Sequence, residues 1–288
     1  MDTPLSSAVA RLIPPAALAC IPGWGEGLLG QGVSLLAGGG QLNRCVLVCT
    51  PDGRFVVRLR IDQASRPGAV GSQELACQRV AAAAGLAPPI LASAPDAGWV
   101  VMPFVEGALW QVADLASRER VARLGERLAE LHALAPPAVA PLDALAIIRA
   151  QVRVITQADP SSAEPLARTL ERARGLSEAC GSLGRCAVLN HGDVNVANLI
   201  GPQPVLIDWE YAQVADPLYD VACLLSYYPG LRDHLDWLLG GAMLGSAAER
   251  RVLEAHLGLF EVLNGLWSVA QGAAHGDAAG LVAVRPAE

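Results

Sequence analysis

The chain has 288 residues, 52% of them apolar and 17% charged, with a net charge of −7; this excludes a disordered chain and is enough to bury a core without disulfides or metals. The negative balance argues against a general nucleic-acid or anionic-membrane binder. All 21 basic residues are Arg, so chemistry that needs a lysine Schiff base or a P-loop lysine is excluded. The seven cysteines form no CxxC pair, which argues against a zinc ribbon or a disulfide framework and for reduced thiols. The N-terminal apolar stretch is broken by Pro14 and Pro15 and makes a poor signal peptide. No unbroken apolar run is long enough to span a membrane. A cytoplasmic protein without nucleic-acid or membrane partners is expected.

The first hundred residues read as strands and one helix. Val33–Ala37 is a short apolar run ending in Gly38-Gly39-Gly40. Residues 45–49 and 55–60 form a hairpin across the turn Thr50-Pro51-Asp52-Gly53. In the second strand Phe55, Val57 and Leu59 share one face, and Val56, Arg58 and Arg60 the other. A helix is predicted from about Gln73 to Ala84, ended by Gly85. Ile90-Leu91 and Trp99–Val101 read as further short strands. Met102–Gly107 pairs a Pro with a Gly where strands give way to helices, as a linker would. Helices are predicted over 118–134, with Val121, Leu124, Leu128 and Leu131 on one stripe, and over 143–157, 163–179, 216–228 and within 247–273.

Residues 190–210 carry the chemistry. They read Asn190-His191-Gly192-Asp193-Val194-Asn195-Val196-Ala197-Asn198-Leu199-Ile200, a Gly-Pro-Gln-Pro turn, and Val205-Leu206-Ile207-Asp208-Trp209-Glu210. Pairing Ile200 with Val205 sets Asn198 opposite Ile207, about 5 Å away across the strands, with Asp208 just beyond. An amide oxygen and a carboxylate at the open end of a hairpin suit Mg²⁺, a hard ion that takes few protein ligands. Asp193, five residues before Asn198, is suited to accept the proton of a substrate hydroxyl. HxDxxxxN, a hairpin-length gap, an apolar run and then Asp is the arrangement of kinase-like phosphoryl transfer. The segment DWE stands where a protein kinase carries DFG, and no APE segment follows.

The HGDVNVAN segment followed by LIDWEYAQVADPLYDVA resembles the choline kinase, thiamine kinase and aminoglycoside phosphotransferase superfamily. LLAGGGQLNRCVLV with FVVRLR resembles its nucleotide loop and following strand, Met102–Gly107 its hinge, and LGERLAELHAL its first C-terminal helix. The resemblance implies an α+β, two-lobed protein-kinase-like fold, with a small antiparallel-sheet-plus-helix N-lobe over 1–102 for the nucleotide. A larger, mainly helical C-lobe over 103–288 would carry catalysis and the acceptor. It implies ATP and Mg²⁺ as cofactors, Asp193 as base, and Asn198 and Asp208 as metal ligands. Gly39, Gly40, Asn43, Arg58, Met102 and Phe104 would contact the nucleotide, with Glu74 the acidic partner of Arg58. Arg60 shares the face of Arg58 and stays open as the phosphate contact in its place. Asp216 and Asp220 match acidic positions that tie the loop to the next helix.

For the acceptor, Trp209, Glu210, Tyr211 and Trp267 offer aromatic faces and a carboxylate suited to a quaternary or heteroaromatic cation. Tyr219, Tyr227 and Tyr228 add to this concentration of rings. The expected function is phosphorylation of a hydroxyl on a choline-, ethanolamine- or thiamine-like small molecule. An aminoglycoside or macrolide phosphotransferase, and an inactive kinase-like nucleotide-binding protein, remain as alternatives.

Overall fold

The computed structural model of the protein describes residues 9–25, 32–36, 43–60 and 69–274. These fall into two compact units. The first holds residues through Trp110 together with Leu134–Val139 and Val196–Gln213; the second holds Gln111–Ala133, Ala140–Asn195 and the residues from Val214 onward.

In the first unit β1 (Val33–Leu35), β2 (Asn43–Thr50), β3 (Gly53–Arg60), β4 (Ala92–Ala94) and β5 (Trp99–Pro103) form an antiparallel sheet in the order β1-β2-β3-β5-β4. The β2–β3 turn is closed by Thr50, whose hydroxyl accepts the Asp52 N–H at 3.2 Å. Alternation along β3 sends Phe55 and Val57 into a core with Val46, Val48 and Val101, capped by Ile13, Ala17 and Ile21 from the preceding segment. Arg58 therefore points from the opposite face. Helix α1 (Ala69–Ala83) ends in a Schellman motif: Leu86 N–H reaches Ala81 O, and Gly85, at φ +71°, reaches Ala82 O, both at 3.0 Å.

Two short strands, β7 (Leu199–Ile200) and β8 (Val205–Leu206), pair Leu199 with Leu206 and Ile200 with Val205, the register expected from the sequence. Leu206 N–H donates to Leu86 O at 2.9 Å and Trp110 N–H to Leu199 O at 2.9 Å. The Trp110 indole N–H donates to Gly201 O at 2.8 Å. These bonds fasten residues 108–110 and the hairpin to the first unit, so the division differs from a single cut at residue 102.

The second unit is mainly helical. It contains α2 (Arg118–His132), α3 (Ala144–Ala158), α4 (Ala163–Cys180), α5 (Leu218–Tyr227), α6 (Leu235–Gly241) and α7 (Ala247–Ala274), with strands β6 (Val188–Asn190) and β9 (Gln213–Ala215) pairing alongside. Ser117 and Asp143 cap α2 and α3 by accepting N–H bonds from residues three positions on. Val121, Leu124, Leu128 and Leu131 are fully buried along α2, each contributing about 1.5–3 kcal/mol of burial. Helices α2 and α6 meet backbone to backbone at glycines: a Cβ on Gly125 would lie 2.3 Å from Leu238 O, and one on Gly241 2.2 Å from Ala122 O. A second core joins α3, α4 and α7 through Ile148, Ile155, Leu166 and Leu266. Among the described residues no helix is long and apolar enough to cross a membrane.

Candidate active site

Arg58 and Glu74 are 7% and 2% exposed. A charge that deep needs a partner, and the two form an ion pair. Arg58 Nη1 also lies 3.4 Å from Asp208 Oδ1, and Arg60 Nη2 lies 3.4 Å from Glu74 Oε2. Glu74 is thus shared by both arginines of the β3 face, and it is Arg58 that reaches Asp208. Arg58, Arg60 and Glu74, with Asn43, line an open pocket.

On the hairpin, Ile207 N–H donates to Asn198 O at 3.0 Å, which holds Asn198 beside the strand that ends at Asp208. Asp208 is left-handed, φ +62°, a conformation a short polar side chain tolerates. It turns the chain into a single 3₁₀ turn, Trp209–Tyr211. The amide of Asn198 and the carboxylate of Asp208 are hard oxygen donors of the kind Mg²⁺ takes. Beside them Asn43 Nδ2 donates to Glu210 Oε2 at 2.7 Å, joining two residues predicted to contact different ligands. Burial pushes the nearby Cys45 thiol up to about 11; Arg58 pulls it down, and Asp208 and Glu210 add to the rise.

The remaining residues proposed from sequence in this unit are spread more widely. Trp209 is 1% exposed and its indole N–H donates to Leu206 O at 2.9 Å. Its ring is core packing, a correction to its expected place against an acceptor. Tyr211 is half-buried in the 3₁₀ turn. Met102 Sδ accepts from Gln78 Nε2 at 3.0 Å, and Phe104 lies under the Arg54 guanidinium at 4.5 Å. Gly39 and Gly40 lie outside the described residues.

In the second unit the loop after β6 is pinned by Asp220 of α5, fully buried. Its carboxylate accepts the His191 N–H at 3.1 Å and the Gly192 N–H at 2.8 Å, and meets His132 Nε2 at 3.0 Å. Asp220 thus ties the loop to α5. Asp193 follows directly. Its Oδ2 accepts from Asn195 Nδ2 at 3.1 Å and its Oδ1 from the Tyr227 hydroxyl at 2.8 Å. Tyr227 meets Phe260 and Tyr228 edge-on, with centroids 5.9 and 6.3 Å apart. Trp267 is half-buried on α7. His132, Asn195 and the Tyr227 hydroxyl were not picked out from sequence as partners of these carboxylates. Asn195 is two residues from Asp193, whereas His132 and Tyr227 come from segments 88 and 34 residues away that no local pattern signals.

Asp193 lies just before the chain crosses from the second unit to the first, between Asn195 and Val196; Asn198 lies just after. Residues 34–253 match the phosphotransferase enzyme family. The chain belongs to that family. A stretch of 152 residues is 31% identical to Protein StrN of Streptomyces griseus, covering 43% of this chain and 47% of that protein. The match therefore spans about half the length of this curated relative. A solved choline/ethanolamine kinase family protein from Mesorhizobium loti is similar at a TM-score of 0.73 and 22% identity, over 91% of this chain and 86% of that one. A solved aminoglycoside phosphotransferase, in ternary complex with ADP and hygromycin B, is similar at a TM-score of 0.64 and 16% identity, over 87% and 89% of the two chains. The phosphotransferase family member described here shares their kinase-like fold, a small antiparallel sheet with a larger helical part.

Proposed function

We propose that this protein transfers the γ-phosphoryl group of ATP to a hydroxyl of a small molecule, with a choline-, ethanolamine- or thiamine-like compound as acceptor. The observation that carries the reading is Asp193. Its carboxylate sits on a pinned loop and already receives a hydroxyl at 2.8 Å, within the reach of a general base. In the reaction Asp193 orients the acceptor hydroxyl and takes its proton. Arg58, held by Glu74, faces the nucleotide phosphates and offsets their charge, while residues 102–105 flank the adenine. Asn198 and Asp208 would hold Mg²⁺, which when bound would neutralise charge on the phosphates. The Tyr227 ring beside Asp193, with Tyr228 next to it, supports an acceptor cation held on aromatic faces.

A second reading, an antibiotic phosphotransferase, is favoured by one pair of observations. Trp209 is buried and Glu210 is engaged by Asn43, which commits two of the groups expected to hold a cation. The test is MgATP consumption against choline, ethanolamine, thiamine, amino sugars and aminoglycosides. Turnover on one acceptor, abolished in Asp193→Asn with ADP binding intact, is the expected result. Nucleotide binding without turnover on any acceptor would favour the inactive, nucleotide-binding alternative.

A further inference from the structure

The proton-accepting oxygen of Asp193 is occupied by a side chain of the protein itself. Tyr227 closes α5, and its hydroxyl donates to Asp193 Oδ1 at 2.8 Å while Asn195 holds Oδ2. The contact is built into the fold. Asp220, which pins the Asp193 loop, stands seven residues before Tyr227 on the same helix, a spacing that puts both on one face. The ring is held edge-on by Phe260 and Tyr228, so little side-chain freedom remains to be lost. Tyr227 is nevertheless 38% exposed.

We propose that Tyr227 is itself a phosphoryl acceptor, so that the protein modifies its own chain when no small-molecule acceptor is bound. The inference rests on the reading of Asp193 as the base. The phenol oxygen of Tyr227 forms the new bond to the γ-phosphorus of ATP, the bond from that phosphorus to the ADP oxygen breaks, and the phenol proton passes to Asp193 Oδ1. A phenol is a stronger acid than an aliphatic alcohol, and a hydroxyl tethered against the base competes at high effective concentration. The product carries close to two negative charges where an acceptor hydroxyl must dock. Self-modification therefore switches acceptor turnover off, and a bound acceptor, by displacing the Tyr227 hydroxyl, protects against it.

The test incubates the full chain with MgATP alone, reads phosphate by intact mass and maps it by peptide sequencing. Expected is one phosphoryl group per chain at Tyr227, absent from Asp193→Asn and from Tyr227→Phe, which keeps the ring contacts, and slowed by an acceptor that the protein turns over. The modified fraction loses acceptor turnover. Acceptor turnover by a protein that stays unmodified at Tyr227, or carries phosphate elsewhere only, overturns the inference and leaves the proposed function standing. No phosphate on Tyr227 and no turnover on any acceptor would overturn both.

Discussion

Glu74, 2% exposed, stands between two arginines, and its removal has a calculable cost. Glu74→Gln keeps the shape and deletes the charge. Arg58, 7% exposed, keeps an ion pair with Asp208 at 3.4 Å, and that carboxylate is itself 30% exposed. Breaking a buried pair from one side costs about 3–5 kcal/mol. The surviving Asp208 contact places Glu74→Gln at the lower end, about 3 kcal/mol. Arg58→Met leaves Glu74 with Arg60, 3.4 Å away, and should cost about the same. Joining Arg58→Met to Glu74→Gln removes both charges, so the double variant should lose less than the sum, with a coupling of at least about 1 kcal/mol. Urea unfolding followed by circular dichroism, with coincident transitions at two wavelengths, gives the three differences. Losses that add to within about 0.5 kcal/mol would refute the reasoning, because the two side chains would then not be sharing one buried interaction.

Asp208→Asn and Asn198→Ala should each weaken MgADP binding by at least about tenfold, with metal-free ADP binding little changed, as measured by calorimetry; equal loss of both would remove these residues from the metal. Gly241→Ala should cost about 2–3 kcal/mol or more, because its Cβ meets Ala122 O at 2.2 Å, whereas Gly240→Ala, with nothing within 4 Å, should be neutral or stabilising; thermal midpoints compare them. Burial raises the Glu249 carboxyl, but the Arg185 guanidinium and then the Ser246 and Gly245 N–H groups outweigh it and hold the group at about 2 rather than 4.5. A group depressed in the folded state stabilises fully above its unfolded value, so this contribution, about 2–3 kcal/mol, is present above pH 4.5 and lost as pH falls toward 2. Glu249→Gln should flatten that acid limb of stability against pH, and an unchanged limb would contradict the assignment.

Legibility followed sequence separation. The β2–β3 hairpin, the face that carries Arg58, the stripe of α2 and the Leu199–Leu206 register were all readable, because each depends on a period of two or 3.6 or on a turn a few residues long. Helix α6 was not read: it has seven residues, two of them Gly, and its place depends on the close approach of Gly241 to α2. The inward packing of Trp209 is not legible in sequence, because an aromatic ring beside a candidate ligand looks the same whether it packs inward or faces a substrate.

By itself the sequence determined the fold class, the hairpin that carries Asn198 and Asp208, and the carboxylate that serves as the proposed base, since these reside in short contiguous patterns. The tertiary structure decided how those groups are held. Glu74 is shared by Arg58 and Arg60, Asn43 meets Glu210 across 167 residues, and Tyr227 meets Asp193 across 34. Such contacts form only when burial of distant apolar faces brings the segments together, and no local periodicity encodes which polar side chains then meet.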